Sequence, residues 1–425
     1  MKDVLCAVVQ GRLVGRLVQK DGRSRLTYES AWQQTRGAFP VSLSMPLAAN
    51  EHSAPVDAYL WGLLPDNPRI LEAWGKTYQV SSRNAFRILQ HVGEDCPGAL
   101  QLCSEARLPA VLSPDPAEVE WLDEADIERR IALLKRDHAA WNDQRSETQF
   151  SLAGAQPKTA LYWNGARWAI PNGRAATTHI LKPGIPGLNG SIENEYFCLE
   201  LARAVGLPVA STHVQRFGTE AAIVVERYDR VLRTDGSVLR IHQEDLCQAM
   251  GLEPGKKYQN DGGPSPVQVV QLLRQNSIDP VADVATFIRA LIFNWLILGT
   301  DAHAKNYALL FDRGAEVRLA PLYDVASALP YRQLDQLRIK LAMKIGGKYR
   351  VREIGRHQWQ KLAREVNVPE DWVFQEIAGM VRRLPRDVRE LAEHCAGEGL
   401  LDPVLTQLET LLVERVSGIA RELGL

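Results

Sequence analysis

At 425 residues the chain is too long for one ordinary hydrophobic core and suits two or three domains. A net charge of -1, with 24% charged and 45% hydrophobic residues, gives no general pull toward nucleic acid or membrane, so any such contact needs a local patch. Cys6, Cys96, Cys103, Cys198, Cys247 and Cys395 are scattered without a C-x-x-C pair, which argues for free thiols in a reducing cytoplasm. The N-terminus lacks an apolar leader core, and the most apolar run, residues 290–298, is far below the roughly 20 residues a membrane span needs. A soluble, cytoplasmic protein is expected, with no membrane partner.

The first hundred residues open with β-prone runs at 4–10 and 12–19, the turn Asp21-Gly22, and an extended run at 25–28. An apolar run at 58–64 ends at Pro65-Asp66-Asn67, and residues 69–74 read as helical. A turn through Val92–Gly98 leads into a strand at 99–103, so an α+β subdomain is expected over residues 1–105. Ser113-Pro114-Asp115-Pro116 marks a linker, and residues 122–141 read as a charged, exposed helix; together they fill residues 106–148.

From residue 149 the pattern changes. Residues 150–158 form a small-residue loop, and 159–163 with 167–170 predict a hairpin across Asn164-Gly165. Residues 179–182 predict a strand that carries Lys182, and 191–205 an amphipathic helix with Ser191 at its N-cap. Strands at 211–216 and 221–225 lead to Glu226-Arg227-Tyr228. Residues 149–228 thus resemble a nucleotide-binding lobe in element order. Residues 229–425 read as mostly helical, with helices at 243–250, 266–274, 280–298, 358–365, 372–383, 386–393 and 403–423.

Within that helical part, residues 291–324 concentrate the chemistry. An apolar run ends at Gly299-Thr300, and Asp301, His303, Lys305 and Asn306 follow within six residues. Two short strands, 307–311 and 317–319, flank the turn Asp312-Arg313-Gly314, and Asp324 closes the unit. Asp301 and Asn306 stand five apart, the D-x-x-x-x-N spacing of a protein-kinase catalytic loop. Phosphoryl transfer needs phosphates and metal held in line with an acceptor hydroxyl, and a carboxylate to orient that hydroxyl. Asp301 fits the orienting carboxylate, Asn306 and Asp324 offer hard oxygens to Mg²⁺, and Lys305 with His303 can meet phosphates. Lys182 on its strand suits α/β-phosphate oxygens, with Glu193 or Glu195 as the acid that positions it; Glu195 is preferred. Ala153, Gly154 and Ala155 allow backbone N–H groups to approach an anion. Glu226-Arg227-Tyr228 sits where an adenine hinge belongs. The fold class expected is α+β, a bilobal protein-kinase-like fold with a β-rich N-terminal subdomain and a mostly helical C-terminal lobe.

These segments resemble the HipA family of serine/threonine-kinase toxins from bacterial toxin–antitoxin modules. The likeness is carried by FSLAGAQPKTAL at 150–161, THILKP at 178–183 and ENEYFCLELA at 193–202. It continues in VVERYDR at 224–230, GTDAHAKNYAL at 299–309 and APLYDVAS at 320–327. SLSMPL at 42–47, LLPDNPR at 63–69 and GEDCPGAL at 93–100 resemble that family's N-terminal domain. The resemblance implies that Asp301 is the catalytic base and that Asn306 and Asp324 are the metal ligands. It implies ATP contacts from Ala153, Gly154, Ala155, Gln156, Pro157, Lys158, Lys182, Glu226, Arg227, Tyr228, His303, Ala304, Lys305, Asn306, Tyr323 and Asp324. It also marks Ser151 as an autophosphorylation site that switches the kinase off. Pro157 departs from the family pattern, which often has an acidic residue there, and stiffens the loop.

The resemblance further implies an aminoacyl-tRNA synthetase substrate, glutamyl-tRNA synthetase first, with translation halted and persistence following. It implies a HipB-like helix-turn-helix antitoxin dimer as partner, and operator DNA bound through that complex. Between Arg338 and Lys361 eight basic residues face one acidic, Glu353, and Arg382, Arg383 and Arg386 form a second cluster, so a basic face toward DNA phosphates is one reading. The alternatives are a DNA-bound corepressor acting with its antitoxin, and a small-molecule kinase.

Overall fold

Asp21 and Gly22 both take positive φ, the backbone a tight two-residue hairpin requires, and they join Arg12–Lys20 to Arg23–Tyr28. These strands sit in an antiparallel sheet ordered Glu51–His52, Arg23–Tyr28, Arg12–Lys20, Val4–Val9, Leu100–Ser104. The structure, a computed structural model, describes residues 4–113, 118–137, 140, 150–171, 175–311, 315–331 and 339–425. Most of the expected linker at 113–116, the far end of the helix expected to reach residue 141, the turn at 312–314 and Arg338 lie outside the described residues.

Two compact units make up the chain. The first joins Met1–Pro183, Gln215–Pro254 and Ala308–Val317; the second joins Gly184–Val214, Gly255–Tyr307 and Arg318–Leu425. The first unit holds the sheet above and five strands of a six-stranded one, in the order Glu220–Glu226, His179–Pro183, Thr159–Trp163, Trp168–Pro171, Val119–Trp121. The helix Glu124–Arg136 is not the exposed helix expected from its charge. Ile127, Ile131 and Leu134, at helical spacing, are buried, and the first two join a core with Leu161, Leu181 and Val224. The strand His242–Asp245 pairs antiparallel with Ala308–Phe311, which corrects the helix expected over 243–250; only Leu246–Ala249 is helical, capped by Asp245.

The second unit is mostly helical, with Ser191–Ala204, Pro266–Asn276, Pro280–Ile297, Arg356–Glu365, Glu370–Gly397 and Pro403–Leu423. Pro280–Ile297 is long and apolar enough to cross a membrane by length and composition alone, yet 67% of it is buried inside the protein, as a core helix is. Glu370–Gly397 runs unbroken through Pro385, where two helices were expected; buried Val381, Leu384 and Val388 on either side hold it against the missing hydrogen bond. Gly190, not Ser191, is the N-cap of Ser191–Ala204, and the Ser191 hydroxyl instead accepts the Ile185 N–H at 2.8 Å. The basic run includes a hairpin, Lys340–Ile345 and Lys348–Arg350, that was not anticipated. Arg383 donates to the Ala204 carbonyl and Arg386 pairs with Asp387 at 2.8 Å, so part of the second basic cluster serves internal contacts.

All six cysteines are free and buried, in keeping with the expected free thiols. In the first unit, Glu244 is buried, and burial pushes its carboxyl up to about 8, although the Leu43 N–H donates to it at 2.8 Å. Its folded value lies above its ordinary 4.5, so its contribution is full below about 4.5 and is lost as pH rises toward about 8. Glu244→Gln keeps an acceptor for Leu43 and should flatten the loss between about pH 4.5 and 8, read as the melting midpoint against pH.

Candidate active site

The loop expected to be catalytic belongs to the second unit, and its starting point is fixed by how the helix Pro280–Ile297 ends. Leu298 turns left-handed at φ 59, and Gly299 follows where a Cβ would sit 2.2 Å from Asn294 Oδ1, so a larger residue would displace that buried amide. A helix leaves its last carbonyls unpaired. Here Arg415 donates to those of Trp295 at 2.8 Å and Leu296 at 2.9 Å. The Ser327 hydroxyl takes that of Ile297 at 2.6 Å, and the Ala328 N–H that of Leu298 at 3.1 Å. The loop therefore leaves from an anchored end.

The loop then folds back on itself. Asn306 Nδ2 donates to the Asp301 carbonyl at 2.7 Å, and the His303 N–H donates to the same oxygen at 2.7 Å. That bond uses the Asn306 amide nitrogen and leaves its side-chain oxygen out of the Asp301 contact. The Asp301 carboxylate is 65% exposed; the Tyr258 hydroxyl donates to its Oδ1, and His303 Nε2 lies 3.8 Å from that oxygen. His303 is buried, and burial lowers its pKa against the pull of Asp301, with Lys257 pushing it further down, so the imidazole is neutral near pH 7. Lys305 is buried, and its carbonyl accepts the Tyr323 hydroxyl at 2.7 Å.

Asp324 takes φ 56, a left-handed conformation that aspartate tolerates better than most residues. Its flanks are fixed. Before it, Leu322 exchanges backbone hydrogen bonds with Pro208 and Ala210 at 2.8 and 2.9 Å; after it, Asn194 clamps Ser327 with two hydrogen bonds at 2.8 and 3.0 Å. The aspartate bears electrostatically on His303, so Asp301, His303, Asn306 and Asp324 share one neighbourhood. Glu193 and Glu195 are two apart on the helix Ser191–Ala204 and so face opposite ways; Glu195 is buried and Glu193 half-buried.

The remaining expected site residues belong to the first unit. Ser151 is fully buried, its hydroxyl donating to the Leu63 carbonyl at 2.7 Å and its N–H to the Asp95 carbonyl at 3.0 Å. Gly154 has φ 100 and accepts the Asp66 N–H at 3.1 Å, while Lys158 Nζ closes the loop on the Ala153 carbonyl at 2.7 Å. Gln156 Nε2 reaches the Pro183 carbonyl at 3.4 Å; Ala155 is exposed and Pro157 buried. Lys182 is buried opposite Ile223 in the sheet. At the expected hinge, Glu226 is exposed, Arg227 is buried, and the Tyr228 hydroxyl donates to Gln243 Oε1.

Arg227, at the expected hinge, is tied into a buried polar network. Its N–H goes to the Thr178 carbonyl at 2.9 Å, and its guanidinium meets Asp229, Thr177 and the Cys96 carbonyl. Arg230 and Arg240 join it around Asp95, whose carboxyl burial would raise but the three arginines hold well below the usual range. Asp95 and Tyr258 are the residues that sequence reasoning missed. Asp95 lies in the quoted segment at 93–100, and Tyr258 is a lone aromatic in the polar stretch KKYQNDGG at 256–263.

Comparison with known proteins covers nearly the whole chain. Residues 150–388 match the family model for the HipA-like C-terminal domain, and residues 5–103 that for the HipA N-terminal domain. The chain is 38% identical to a putative kinase, Y4mE, of Sinorhizobium fredii over 387 residues, which is 90% of each chain. It is 28% identical to the serine/threonine-protein kinase toxin HipA of Shewanella oneidensis over 377 residues, 86% of this chain and 83% of that one. Among solved structures, the Shewanella oneidensis toxin–antitoxin complex of HipA, HipB and operator DNA aligns at a TM-score of 0.82 and 26% identity, covering 99% of this chain and 97% of that one. That match is the α+β, kinase-like architecture expected from the element order.

Proposed function

Because the chain belongs to the HipA family and is a kinase of the serine/threonine class, we propose that it moves the γ-phosphoryl group of ATP to a protein hydroxyl as the toxin of a toxin–antitoxin pair. The observation that carries this reading is the closed loop from Asp301 to Asn306, with its exposed carboxylate beside a neutral histidine and a left-handed Asp324. Asp301 accepts the proton of the acceptor hydroxyl as its oxygen bonds to the γ-phosphorus and the bond to ADP breaks. Among the described residues no group of three or more His, Cys, Asp or Glu side chains gathers to hold a metal. The Asn306 oxygen and the Asp324 carboxylate nonetheless suit Mg²⁺, which prefers hard oxygens and keeps water and phosphate as its other ligands. Mg²⁺ supplies charge neutralisation on the β- and γ-phosphate oxygens when bound. His303, Ala304, Lys305 and Tyr323 are assigned to nucleotide contact from this unit. Lys182 is assigned to the phosphates, and Glu195, the buried one of the two glutamates, keeps the expected lysine-positioning role. Ala153, Gly154, Ala155, Gln156, Pro157 and Lys158 are assigned to the phosphates, and Glu226 and Tyr228 to the base. Arg227 holds the backbone there in shape.

Ser151 is the proposed site of self-inactivation. A phosphate near −2 cannot remain where the serine is fully buried between two carbonyls, so it drives the loop 150–158 outward. Ser151→Asp should lower Mg-ATP affinity more than about tenfold, while Ser151→Ala stays within about threefold, as read by calorimetric titration. The Shewanella structure contains an antitoxin and operator DNA, which supports a helix-turn-helix antitoxin dimer and DNA as partners here. The synthetase acceptor, glutamyl-tRNA synthetase first, and persistence rest on the family resemblance. The cytoplasmic assignment is supported by the free buried thiols. The test is incubation with Mg-ATP and a synthetase, then phosphosite mapping. Phosphate on Ser151 and on the synthetase is expected from the wild type and not from Asp301→Asn. Its absence from the wild type overturns the reading.

A further inference from the structure

We propose that Tyr258 is a positioning residue for Asp301: its phenol holds one oxygen of the carboxylate and so turns the other toward the acceptor hydroxyl. The inference rests on the reading of Asp301 as the base. An exposed carboxylate rotates freely unless something fixes it, and general-base efficiency depends on that orientation. The loop's own hydrogen bonds do not fix it, because His303 N–H and Asn306 Nδ2 both go to the Asp301 backbone carbonyl. His303 Nε2, at 3.8 Å, is beyond hydrogen-bond reach of Oδ1. The hydrogen bond on the carboxylate itself comes from the Tyr258 hydroxyl.

Tyr258 is built to hold that place. Its ring stands edge-on to His303, centroids 4.9 Å apart at 85°. The preceding carbonyl, of Lys257, accepts the Ala304 N–H at 3.1 Å, which ties the segment directly to the catalytic loop. The Tyr258 carbonyl accepts the N–H groups of Asp261 and Gly263, each at 2.9 Å, closing a tight turn behind it. On the other side, Gln259 Oε1 accepts the Lys344 N–H at 2.7 Å and fastens the segment to the strand Lys340–Ile345. A phenol donates a hydrogen bond without adding charge beside the phosphates. The base and its orienter thus come from segments about forty residues apart, fastened to one another by backbone.

The test uses full-length Tyr258→Phe, Asp301→Asn and the double variant, with ADP release from Mg-ATP as the rate and mass spectrometry of the chain alongside. Tyr258→Phe keeps the ring on His303 and removes only the hydroxyl. It should lower kcat roughly 10- to 100-fold with KM for ATP and the melting midpoint unchanged. In the Asp301→Asn background the same change should cost nothing further, because the carboxylate it orients is gone. Wild-type kcat in Tyr258→Phe, or an equal fractional loss in both backgrounds, overturns the inference. Phosphate on Tyr258 itself also overturns it, by making the residue an acceptor. Full turnover by Asp301→Asn removes the base assignment, and the inference with it; a silent Tyr258→Phe leaves that assignment standing.

Discussion

Asp301→Asn is expected to lower phosphoryl transfer by about 10²- to 10⁴-fold, the span a positioned general base contributes. The asparagine is nearly the same shape, so the loop should survive. Its backbone carbonyl still accepts from His303 and Asn306, and the anchored end of the helix Pro280–Ile297 does not involve the side chain. What disappears is the carboxylate proposed to accept the acceptor's proton. Binding of Mg-ATP should change little, because Asn306 and Asp324 are the assigned metal ligands. A rate loss at constant ATP affinity and constant melting midpoint is therefore the signature, read by steady-state kinetics together with calorimetry.

Asp95→Asn should produce the largest loss of stability, about 3–5 kcal/mol, because it leaves buried charge without its partner. Arg230 lies 3.0 Å from the Asp95 carboxylate, Arg240 3.5 Å and Arg227 3.6 Å, and Thr177 donates to it at 2.6 and 3.1 Å. Without that carboxylate, the buried Arg227 and Arg230 share the single charge of Asp229, and the half-buried Arg240, whose pKa burial already lowers to about 10, loses the carboxylate at 3.5 Å. Domains are typically stable by only about 5–15 kcal/mol, so this is a large fraction. The Asp95 carbonyl also receives the Ser151 N–H, so the loop 150–158 should loosen with it. The carboxyl's folded pKa is depressed, so its stabilisation is present above about 3.8 and is lost as pH falls below that. The gap between wild type and variant in denaturant unfolding should accordingly be wide near pH 7 and close in acid.

Local features of this molecule were legible from the chain. The helix Pro403–Leu423 falls at its expected bounds, with Asp402 as N-cap, because its apolar spacing is continuous and its start and stop are marked. The loop from Gly299 to Asn306 was legible because its chemistry is packed into eight residues. What stayed hidden was set by partners far away in sequence. His242–Asp245 looks helical until it meets Ala308–Phe311, more than sixty residues on. The buried cluster draws on Asp95, Thr177, Arg227, Asp229, Arg230 and Arg240, and no window of sequence contains it. Tyr258 bore no local mark of a role, since only the fold places its hydroxyl on Asp301.

The central claim is that Asp301, Asn306 and Asp324 form a protein-kinase site. Phosphoprotein formed from γ-labelled Mg-ATP, compared between wild type and Asp301→Asn, tests it most directly. The account predicts label on seryl or threonyl residues of protein from the wild type, and a loss of about a hundredfold or more in the variant. Label confined to a small molecule, no phosphoprotein from the wild type, or equal label from Asp301→Asn would contradict it.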